Sequence, residues 1–344
     1  MACVGESNGL TFWVAEQKDY EDVMSISVNI YGGNDYLPHR YSDWMTEPDR
    51  VVILGRKDSK LVALESGFVV DEGRTLLVEG LRVCASERGR GVAGEIQRFA
   101  DQYMQQLYPT LRTKRQTMSD YHSSESTKSL AKFTELGRRA ILSFTGDGKS
   151  FNGFISHLKN KLNSTTGLDK AVSVQQMVPL EDAHHLKNIL LDPELPKRVQ
   201  LPGGVIIQDW QPFQPIKGNL EILARRNLTW LVNKLEKPNF LSFYTPPYPI
   251  AFDGGSLRFN IDMFGTDLDS AKRAFVSHFE KVMEKGLLTG KIMIHVFLDQ
   301  SLWKEMKEFC AGETGLKLWR EYWEQVIMER DVRGGAEGKR ESNM

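Results

Sequence analysis

The clearest pattern of hydrophobic and polar positions lies in the first third of the chain. Residues 76–84 form an apolar, β-prone run that only Glu79 and Gly80 interrupt, and this run predicts a strand. Residues 85–90 are polar and predict a turn. The apolar residues from 91 to 104 recur at helical spacing, which predicts an amphipathic helix. A strand, a turn and a helix are therefore expected in direct succession.

The other patterns of the first half predict a mixed α/β domain over residues 1–161. Strands are predicted at residues 10–15, 51–55, 61–70 and 114–118, and helices at 18–28 and 123–136. Gly137 is placed to end the second of these helices. A closing hairpin is predicted at residues 140–145 and 151–155, and the polar stretch at 163–167 is typical of a linker.

The second half repeats this outline over residues 168–330. Strands are predicted at 174–179, 205–210, 241–245, 257–264 and 292–298, and helices at 180–190, 220–235, 268–285 and 302–309, while 317–327 fits either. The turn before the longest helix is Gly265-Thr266-Asp267, in which Asp267 suits a helix N-cap. Residues 331–344 are charged, contain three glycines and are predicted to be a disordered tail.

Composition and charge narrow the classes of protein that fit. The 344 residues are 41% hydrophobic, enough for real cores, and the formal net charge of −1 gives no global field that favours nucleic acid. No apolar run is long enough to span a bilayer, and the N-terminus lacks the features of a signal peptide. The three cysteines have neither disulfide-framework nor zinc-site spacing. A cytoplasmic protein that binds no metal, nucleic acid or membrane is therefore expected, with its oligomeric state left open.

The turn between the central strand and its helix has the chemistry of an anion site. The first amides of a helix have no acceptor within it, and the helix dipole adds partial positive charge there. Gly89 and Gly91 would let the backbone approach an anion closely, and Arg88 and Arg90 add permanent charge. The stretch fits neither the dinucleotide-binding G-x-G-x-x-G pattern nor a Walker loop. The stretch therefore predicts a site for a phosphate-bearing ligand, with a plain surface turn as the alternative.

Residues 88–93, Arg-Gly-Arg-Gly-Val-Ala, resemble the Q/R-x-x-G-x-G/A loop of the GNAT superfamily of N-acetyltransferases. The resemblance implies an α/β (α+β) GNAT fold, a mixed central sheet flanked by helices, followed here by a second, degenerate GNAT-like half without the loop. It implies acetyl-CoA as co-substrate, with its diphosphate on Arg88, Gly89, Arg90, Gly91, Val92, Ala93 and Gly94. Backbone groups of Leu81, Arg82 and Val83 would hold the pantetheine arm, and Ser126 stands where the family often has a cofactor-contacting Asn.

The interruption at Glu79 and Gly80 is the candidate catalytic feature. Glycine within a strand often marks a bulge, and a bulge can turn a backbone N–H toward the thioester oxygen on which negative charge develops. Glu79 is the candidate general base for the incoming amine, directly or through a water. The alternative is a structural Glu79 paired with Arg82 or another cation. The family's usual acid is a tyrosine, but the matching position holds Phe133, so the proton donor to the thiolate stays open.

Over its whole length the sequence also resembles the vertebrate histidine N-acetyltransferase family, in stretches that include GGNDYLPHRYSDW and NFLSFYTPPYP. This resemblance implies direct acetyl transfer to the α-amine of free L-histidine through a tetrahedral intermediate, giving N-acetyl-L-histidine and CoA. Asp35, Tyr36 and His39, in the segment that covers the acceptor site in GNAT proteins, and Tyr244 would bind this substrate. Alternatively, these residues serve only packing.

Two other functions stay open at this point. The protein could acetylate another small amine, such as a different amino acid, a polyamine or a peptide N-terminus. It could also bind acetyl-CoA without turnover, which the absence of the usual tyrosine at Phe133 would allow.

Overall fold

A computed structural model describes residues 3–120, 132–165, 176–312 and 315–332 of the chain. These residues form two compact units. The first contains residues 3–117, 132–135 and 328–332, and the second contains residues 118–120, 136–165, 176–312 and 315–327. This division differs from the boundary predicted near residue 161, because residues 136–161 group with the second unit.

The first unit is organised around a sheet with helices on both faces. Its strands are β1 (Cys3–Ser7), β2 (Leu10–Val14), β3 (Arg50–Lys57), β4 (Lys60–Val70), β5 (Thr75–Val83) and β6 (Thr113–Ser119). Its helices are α1 (Tyr20–Ser25), α2 (Leu37–Thr46) and α3 (Val92–Leu107). Strands β1 to β5 pair antiparallel in chain order, and α3 carries the chain from β5 to the parallel β6.

Burial of β4 explains why helices cover both faces of this sheet. Ten of its eleven residues are buried, as expected for a central strand packed on both sides. On one face α1 and α2 contribute Val23 and Trp44 to a core with Leu64 of β4. On the other face α3 packs Ile96 against Ala63.

The last strand, β15 (Lys317–Asp331), is divided between the two units. Residues 317–327 belong to the second unit, and residues 328–331 belong to the first. Within the first unit, Glu329 pairs with Arg115 of β6 at 2.6 Å, and Val332 donates its amide to the carbonyl of Arg112 at 2.8 Å. The first unit is therefore completed by a segment from the far end of the sequence.

The second unit is also a sheet, with an apolar helical layer on one face. Its further strands are β7 (Thr134–Asp147), β8 (Val178–Pro179), β9 (Ile206–Gln208), β10 (Gln211–Phe213), β11 (Thr229–Val232), β12 (Leu241–Ile250), β13 (Ser256–Phe264) and β14 (Lys291–Leu298). Its helices are α4 (Phe151–Thr165), α5 (Ala183–Leu190), α6 (Leu195–Arg198), α7 (Lys217–Ala224), α8 (Leu268–Glu284) and α9 (Trp303–Cys310). The order is β15-β7-β14-β13-β12-β11-β8, with β9 and β10 as a separate hairpin. As in the first unit, a helix, α8, joins two parallel strands, β13 and β14.

The structure corrects the sequence prediction between residues 123 and 155. Residues 134–147 form β7, so Gly137 lies within a strand and ends no helix, and residues 151–155 begin α4 instead of the second strand of a hairpin. Phe151, Phe154 and Leu158 recur at helical spacing and bury together in the core, which is why a helix forms here. Residues 123–131 of the predicted helix lie outside the described residues.

Elsewhere the predicted elements are found, apart from several additions and one stretch that was assigned wrongly. The strand, turn and helix at residues 76–104 are confirmed as β5, its following turn and α3. The prediction missed β1, α2, α6 and β10, and it left 317–327 undecided, where the structure has β15. It assigned 220–235 to one helix, where the structure has the end of α7 and then β11. Among the helices that the structure describes, none is both long and apolar enough to cross a bilayer.

Candidate active site

Strand β5 carries a bulge where its apolar pattern is interrupted. Two of its residues, Gly80 and Leu81, face the single residue Glu65 of β4. Gly80 has φ +72°, and a Cβ at this position would lie 2.7 Å from the Trp44 ring. Only glycine fits both this backbone conformation and this contact. The bulge predicted from Glu79 and Gly80 is therefore confirmed.

Strands β5 and β6 run together briefly and then separate. In the described part of the chain, their paired positions are residues 75–77 with 113–115. The bulged half of β5 is therefore paired on the β4 side alone, and its other edge presents backbone N–H and C=O groups. In the second unit the corresponding parallel strands stay together, because residues 257–262 of β13 pair with 292–297 of β14.

The turn after β5 combines two left-handed glycines with the start of a long helix. Gly89 has φ +73° and Gly91 has φ +83°, and open space surrounds the position of a Cβ at either one. The first intrahelical bond of α3 runs from the amide of Glu95 to the carbonyl of Gly91 at 3.1 Å. The amides of Val92, Ala93 and Gly94 thus have no acceptor within the helix.

Two arginines flank this turn in different ways. Arg88 donates its Nε to the carbonyl of Val83 at 3.1 Å, which ties the turn to the end of β5. Arg90 is 64% exposed and lies 3.8 Å from Glu87. Arg90 is thus in position to approach an anion from solvent, and Arg88 stabilises the turn.

Glu79 lies beside the bulge in a charged cluster. Nη1 of the buried Arg50 donates to Glu79 at 2.5 Å and to Ser66 at 2.7 Å, and its Nε donates to Glu47 at 2.6 Å. The guanidinium also lies 4.8 Å from the Trp44 ring centroid. Burial alone would lower the pKa of Arg50, but the two carboxylates raise it, so this cation is permanent. Glu79 is thus paired with a buried cation, Arg50, as the structural alternative allowed.

Arg82 and Asp35 form a second buried ion pair at the bulge. Nη2 of Arg82 donates to Oδ1 of Asp35 at 2.5 Å, and Nη1 donates to the carbonyl of Gly80 at 2.9 Å. The same Asp35 oxygen accepts the amide of Leu37, at the start of α2, at 3.1 Å. Within the described residues, Oδ2 of Asp35 and Nε of Arg82 are buried without a hydrogen-bond partner.

Tyr36 lies near Trp44 and Arg82, whereas His39 lies at the surface. The Tyr36 ring centroid is 6.1 Å from that of Trp44 and 5.8 Å from the guanidinium of Arg82. Burial and the nearby Glu79 carboxylate raise the pKa of Tyr36 well above its usual value, so the phenol stays protonated. The structure thus brings Asp35 and Tyr36 to the bulge, while the side chain of His39 is exposed on α2.

Tyr244 occupies the core of the second unit. It is 1% exposed, and its ring packs edge-on against those of Phe259 and His278, 5.5 and 5.6 Å away. A buried ring of this kind offers no surface to a substrate, so the packing alternative for Tyr244 is the one that the structure supports.

The structure supports no role in the site for Ser126 or Phe133. Ser126 lies outside the described residues. Phe133 immediately precedes β7, and the guanidinium of Arg330 lies 5.4 Å from its ring centroid. Because Gly137 ends no helix, the motif alignment that placed Phe133 at the position of the acid loses its support.

The turn before α8 in the second unit lacks the features of the turn after β5. Asp267 caps α8, and its carboxylate accepts the amide of Ser270 at 2.9 Å, as predicted. A Cβ on Gly265 would lie 2.6 Å from the carbonyl oxygen of Asn239, so this backbone is packed and not open. The start of α8 is therefore occupied by a carboxylate of the chain itself.

Sequence reasoning missed Arg50, Glu47 and Trp44, which surround Glu79 and Gly80. The spacing of Glu47 and Arg50 is that of an i,i+3 pair, but it gives no hint of the third partner, 29 residues away. In the described residues, no group of three or more His, Cys, Asp and Glu side chains is placed to hold a metal ion.

The bulged strand, the parting of β5 from β6 and the glycine turn at α3 define a GNAT acetyltransferase fold. A tandem GNAT protein from the clavulanic acid biosynthesis pathway superposes with a TM-score of 0.53 at 10% identity, over 94% of this chain and 98% of that one. A GCN5-related N-acetyltransferase from Sphaerobacter thermophilus gives 0.52 at 11%, over 96% and 98%. The predicted fold class, a mixed sheet flanked by helices with a second GNAT-like half, is confirmed.

Sequence comparison specifies the family. The chain is 38% identical to a histidine N-acetyltransferase of Scomber australasicus, over 94% of both proteins, and 38% identical to one of Xenopus tropicalis, over 93% and 95%. Residues 173–299 match the family model described as the C-terminal part of histidine N-acetyltransferase. The chain belongs to the histidine N-acetyltransferase family. A human relative at 36% identity, over 95% of this chain and 87% of its own, is named Probable N-acetyltransferase 16.

Proposed function

We propose that this protein transfers the acetyl group of acetyl-CoA to the α-amine of free L-histidine, with N-acetyl-L-histidine and CoA as products. The observation that carries the proposal is the bulged edge of β5, which leads directly into the glycine turn of α3 while β6 turns away. The relatives named histidine N-acetyltransferase support the choice of amine.

The residues of the first unit fit the two ends of acetyl-CoA. The amides of Val92, Ala93 and Gly94 point out of the start of α3, where a diphosphate would accept their hydrogens. Gly89 and Gly91 leave the space for this approach, and Arg90 adds charge. The edge of β5 at residues 81–83 would hold the pantetheine arm through its backbone.

The chemistry requires a new bond between the amine nitrogen and the acetyl carbon, and cleavage of the bond between that carbon and sulfur. An N–H at the bulge would stabilise the negative charge that develops on the carbonyl oxygen. Glu79 would accept the proton that the amine loses, directly or through a water. The sulfur leaves as a thiolate. The carbon–sulfur bond can therefore break without a general acid, and the thiolate is protonated afterwards.

The unpaired atoms around the bulge complement a free amino acid. In the described part of the chain, Nη2 of Arg50 and Nε of Arg82 are buried donors without an acceptor, and Oδ2 of Asp35 is a buried acceptor without a donor. The carboxylate of a free amino acid could accept from the two arginine donors, and its N–H groups could donate to Asp35. Tyr36, whose phenol stays protonated, adds one donor, and His39 lies on the same helical segment nearer to solvent.

Initial rates with a panel of acceptors test this proposal. We expect kcat/KM for L-histidine to exceed that for other free amino acids, spermidine and a peptide with an N-terminal histidine by about 100-fold. The unpaired buried polar groups disfavour acceptors without a free α-carboxylate, and the relatives named histidine N-acetyltransferase support the preference among free amino acids. Histamine, which lacks the carboxylate, is the matched control and is expected to react poorly. Release of CoA would be followed with a thiol reagent.

Equal rates for histidine and the rest of the panel would contradict the histidine proposal and favour another small amine. Tight binding of acetyl-CoA without release of CoA for any acceptor would instead favour a non-catalytic acetyl-CoA-binding protein.

We also propose that the second unit binds no acetyl-CoA, because β13 and β14 stay paired and Asp267 occupies the start of α8. Asp267→Ala removes this carboxylate and is expected to lower stability by about 1 kcal/mol through loss of the cap. The affinity for acetyl-CoA and the stoichiometry of one per chain should not change in isothermal titration calorimetry. Two bound molecules per wild-type chain would contradict this proposal.

A further inference from the structure

We infer that the side chains of Arg82 and Asp35 are positioning residues, which hold the peptide between Gly80 and Leu81 so that its N–H faces the thioester carbonyl. The inference rests on the proposed acetyl transfer, since it assigns a role at the same bulge. It concerns how the amide is held and does not depend on which amine is the acceptor.

Arg82 reaches the bulge from the side of α2. Its side chain is 1% exposed and lies on the face of β5 that α2 covers, where Nη1 is also 3.3 Å from the position of a Cβ on Gly80. From there it donates to the carbonyl of Gly80 at 2.9 Å. A carbonyl in a regular strand would bond to the neighbouring strand, so this bond exists only because the bulge has turned the peptide.

The planarity of the peptide bond fixes the direction of the Leu81 N–H. The carbonyl of Gly80 and the N–H of Leu81 belong to one trans peptide, in which they point in opposite directions. Since Arg82 holds the carbonyl oxygen, the N–H must point away from the guanidinium and from α2. Leu81 and Gly80 together face one residue of β4, which leaves the bulged peptide outside the regular ladder.

The ion pair of Arg82 and Asp35 restrains the orientation of the bulged peptide. Gly80 at φ +72° has access to more backbone conformations than any other residue type, so the glycine permits the bulge without fixing its orientation. Arg82 supplies that restraint, and Asp35 fixes Arg82 through the 2.5 Å bond to Nη2. Asp35 is itself held by the amide of Leu37 at the start of α2. A donor that is already oriented costs no reorganisation when charge develops on the oxygen.

The double variant Arg82→Met/Asp35→Leu tests the inference. Replacing both partners of a buried ion pair with apolar residues generally preserves the fold, whereas removing one of them leaves a buried charge. The matched control is Arg139→Met/Asp262→Leu, which removes a buried pair of the second unit whose atoms are 2.7 Å apart. Thermal unfolding shows that each variant is folded.

The readout is the infrared stretching frequency of the acetyl carbonyl in ¹³C-labelled acetyl-CoA bound to the full chain. A hydrogen bond to this oxygen lowers the frequency. We expect the wild type and the Arg139→Met/Asp262→Leu control to lower it equally, and Arg82→Met/Asp35→Leu to lose at least half of the shift. The Kd of acetyl-CoA should stay within about three-fold because the turn at α3 is intact.

The outcomes separate this inference from the proposed function. A full frequency shift in folded Arg82→Met/Asp35→Leu would overturn the positioning role, even if histidine is acetylated by the wild type. A shift that is present in the wild type and lost in the variant would support it, even if histidine proves to be a poor acceptor. An equal loss of shift in the control would also overturn it, since any buried pair would then have the same effect.

Discussion

Gly91→Asp is expected to abolish acetyl-CoA binding while leaving the protein folded. Gly91 precedes α3 with φ +83°, and the space around it is open, so an aspartate would place its carboxylate where the diphosphate binds. The carboxylate would also cap the amides of α3, as Asp267 does for α8. With two charge-assisted hydrogen bonds lost at about 1.5–3 kcal/mol each, the Kd should rise at least about 100-fold. Titration calorimetry measures it.

Gly290→Asp is the matched control for this prediction. Gly290 also has a positive φ, +69°, with open space around it, and it lies in the second unit. The control therefore carries the same backbone strain and the same added charge. Wild-type affinity in folded Gly91→Asp, or an equal loss in both variants, would remove the anion site from the turn.

Glu79→Gln is expected to lower kcat about 100-fold, at the lower end of the contribution of roughly 10²–10⁴ that general bases make. Glutamine keeps the shape of the side chain and can still accept a hydrogen bond from Arg50, but it cannot take a proton at neutral pH. Steady-state rates with saturating acetyl-CoA and acceptor measure the effect.

Glu47→Gln separates catalysis from structure. Glu47 and Glu79 are the two carboxylates that bond to the guanidinium of Arg50, at 2.6 and 2.5 Å, so either variant removes one charge from the same cation. Only Glu79 belongs to β5. A similar fall in kcat for both variants would show that Glu79 serves only to hold Arg50, which is the structural alternative that its pairing raises.

The parts of the site that were predicted correctly are local in the sequence. The strand, turn and helix from β5 to α3 follow from periodicity, and the bulge follows from a glycine within a strand. Gly89 and Gly91 have the positive φ values that their place before a helix suggests. Each of these inferences needs only neighbouring residues.

The ion pairs at the bulge could not be predicted, because their partners are far apart in the chain. Arg82 and Asp35 are 47 residues apart, and Arg50 and Glu79 are 29 apart. The sequence offers several cations and anions in both regions, and only the packing of α2 against β5 decides which of them meet. The burial of Tyr244 could not be predicted either, because the pattern along β12 does not indicate which face of the strand a helix covers.

The wrong hairpin at residues 140–155 has a simpler cause. Short apolar runs fit a strand and a buried helix equally well. Taken alone, the run at 151–155 fits a strand, but Leu158 continues its helical spacing. The turn that follows β7, at Gly148–Ser150, then separates a strand from a helix instead of two strands.

The division of β15 has a consequence for any attempt to separate the two halves of the protein. Residues 328–332 complete the unit that holds the bulge and the glycine turn, although the chain passes through the entire second unit to reach them. The first unit is thus not a contiguous fragment. A fragment that ends near residue 161 would lack residues 328–332, which belong to the first unit. It would also include residues 136–161, which belong to the second unit. A single cut in the chain therefore separates neither unit intact.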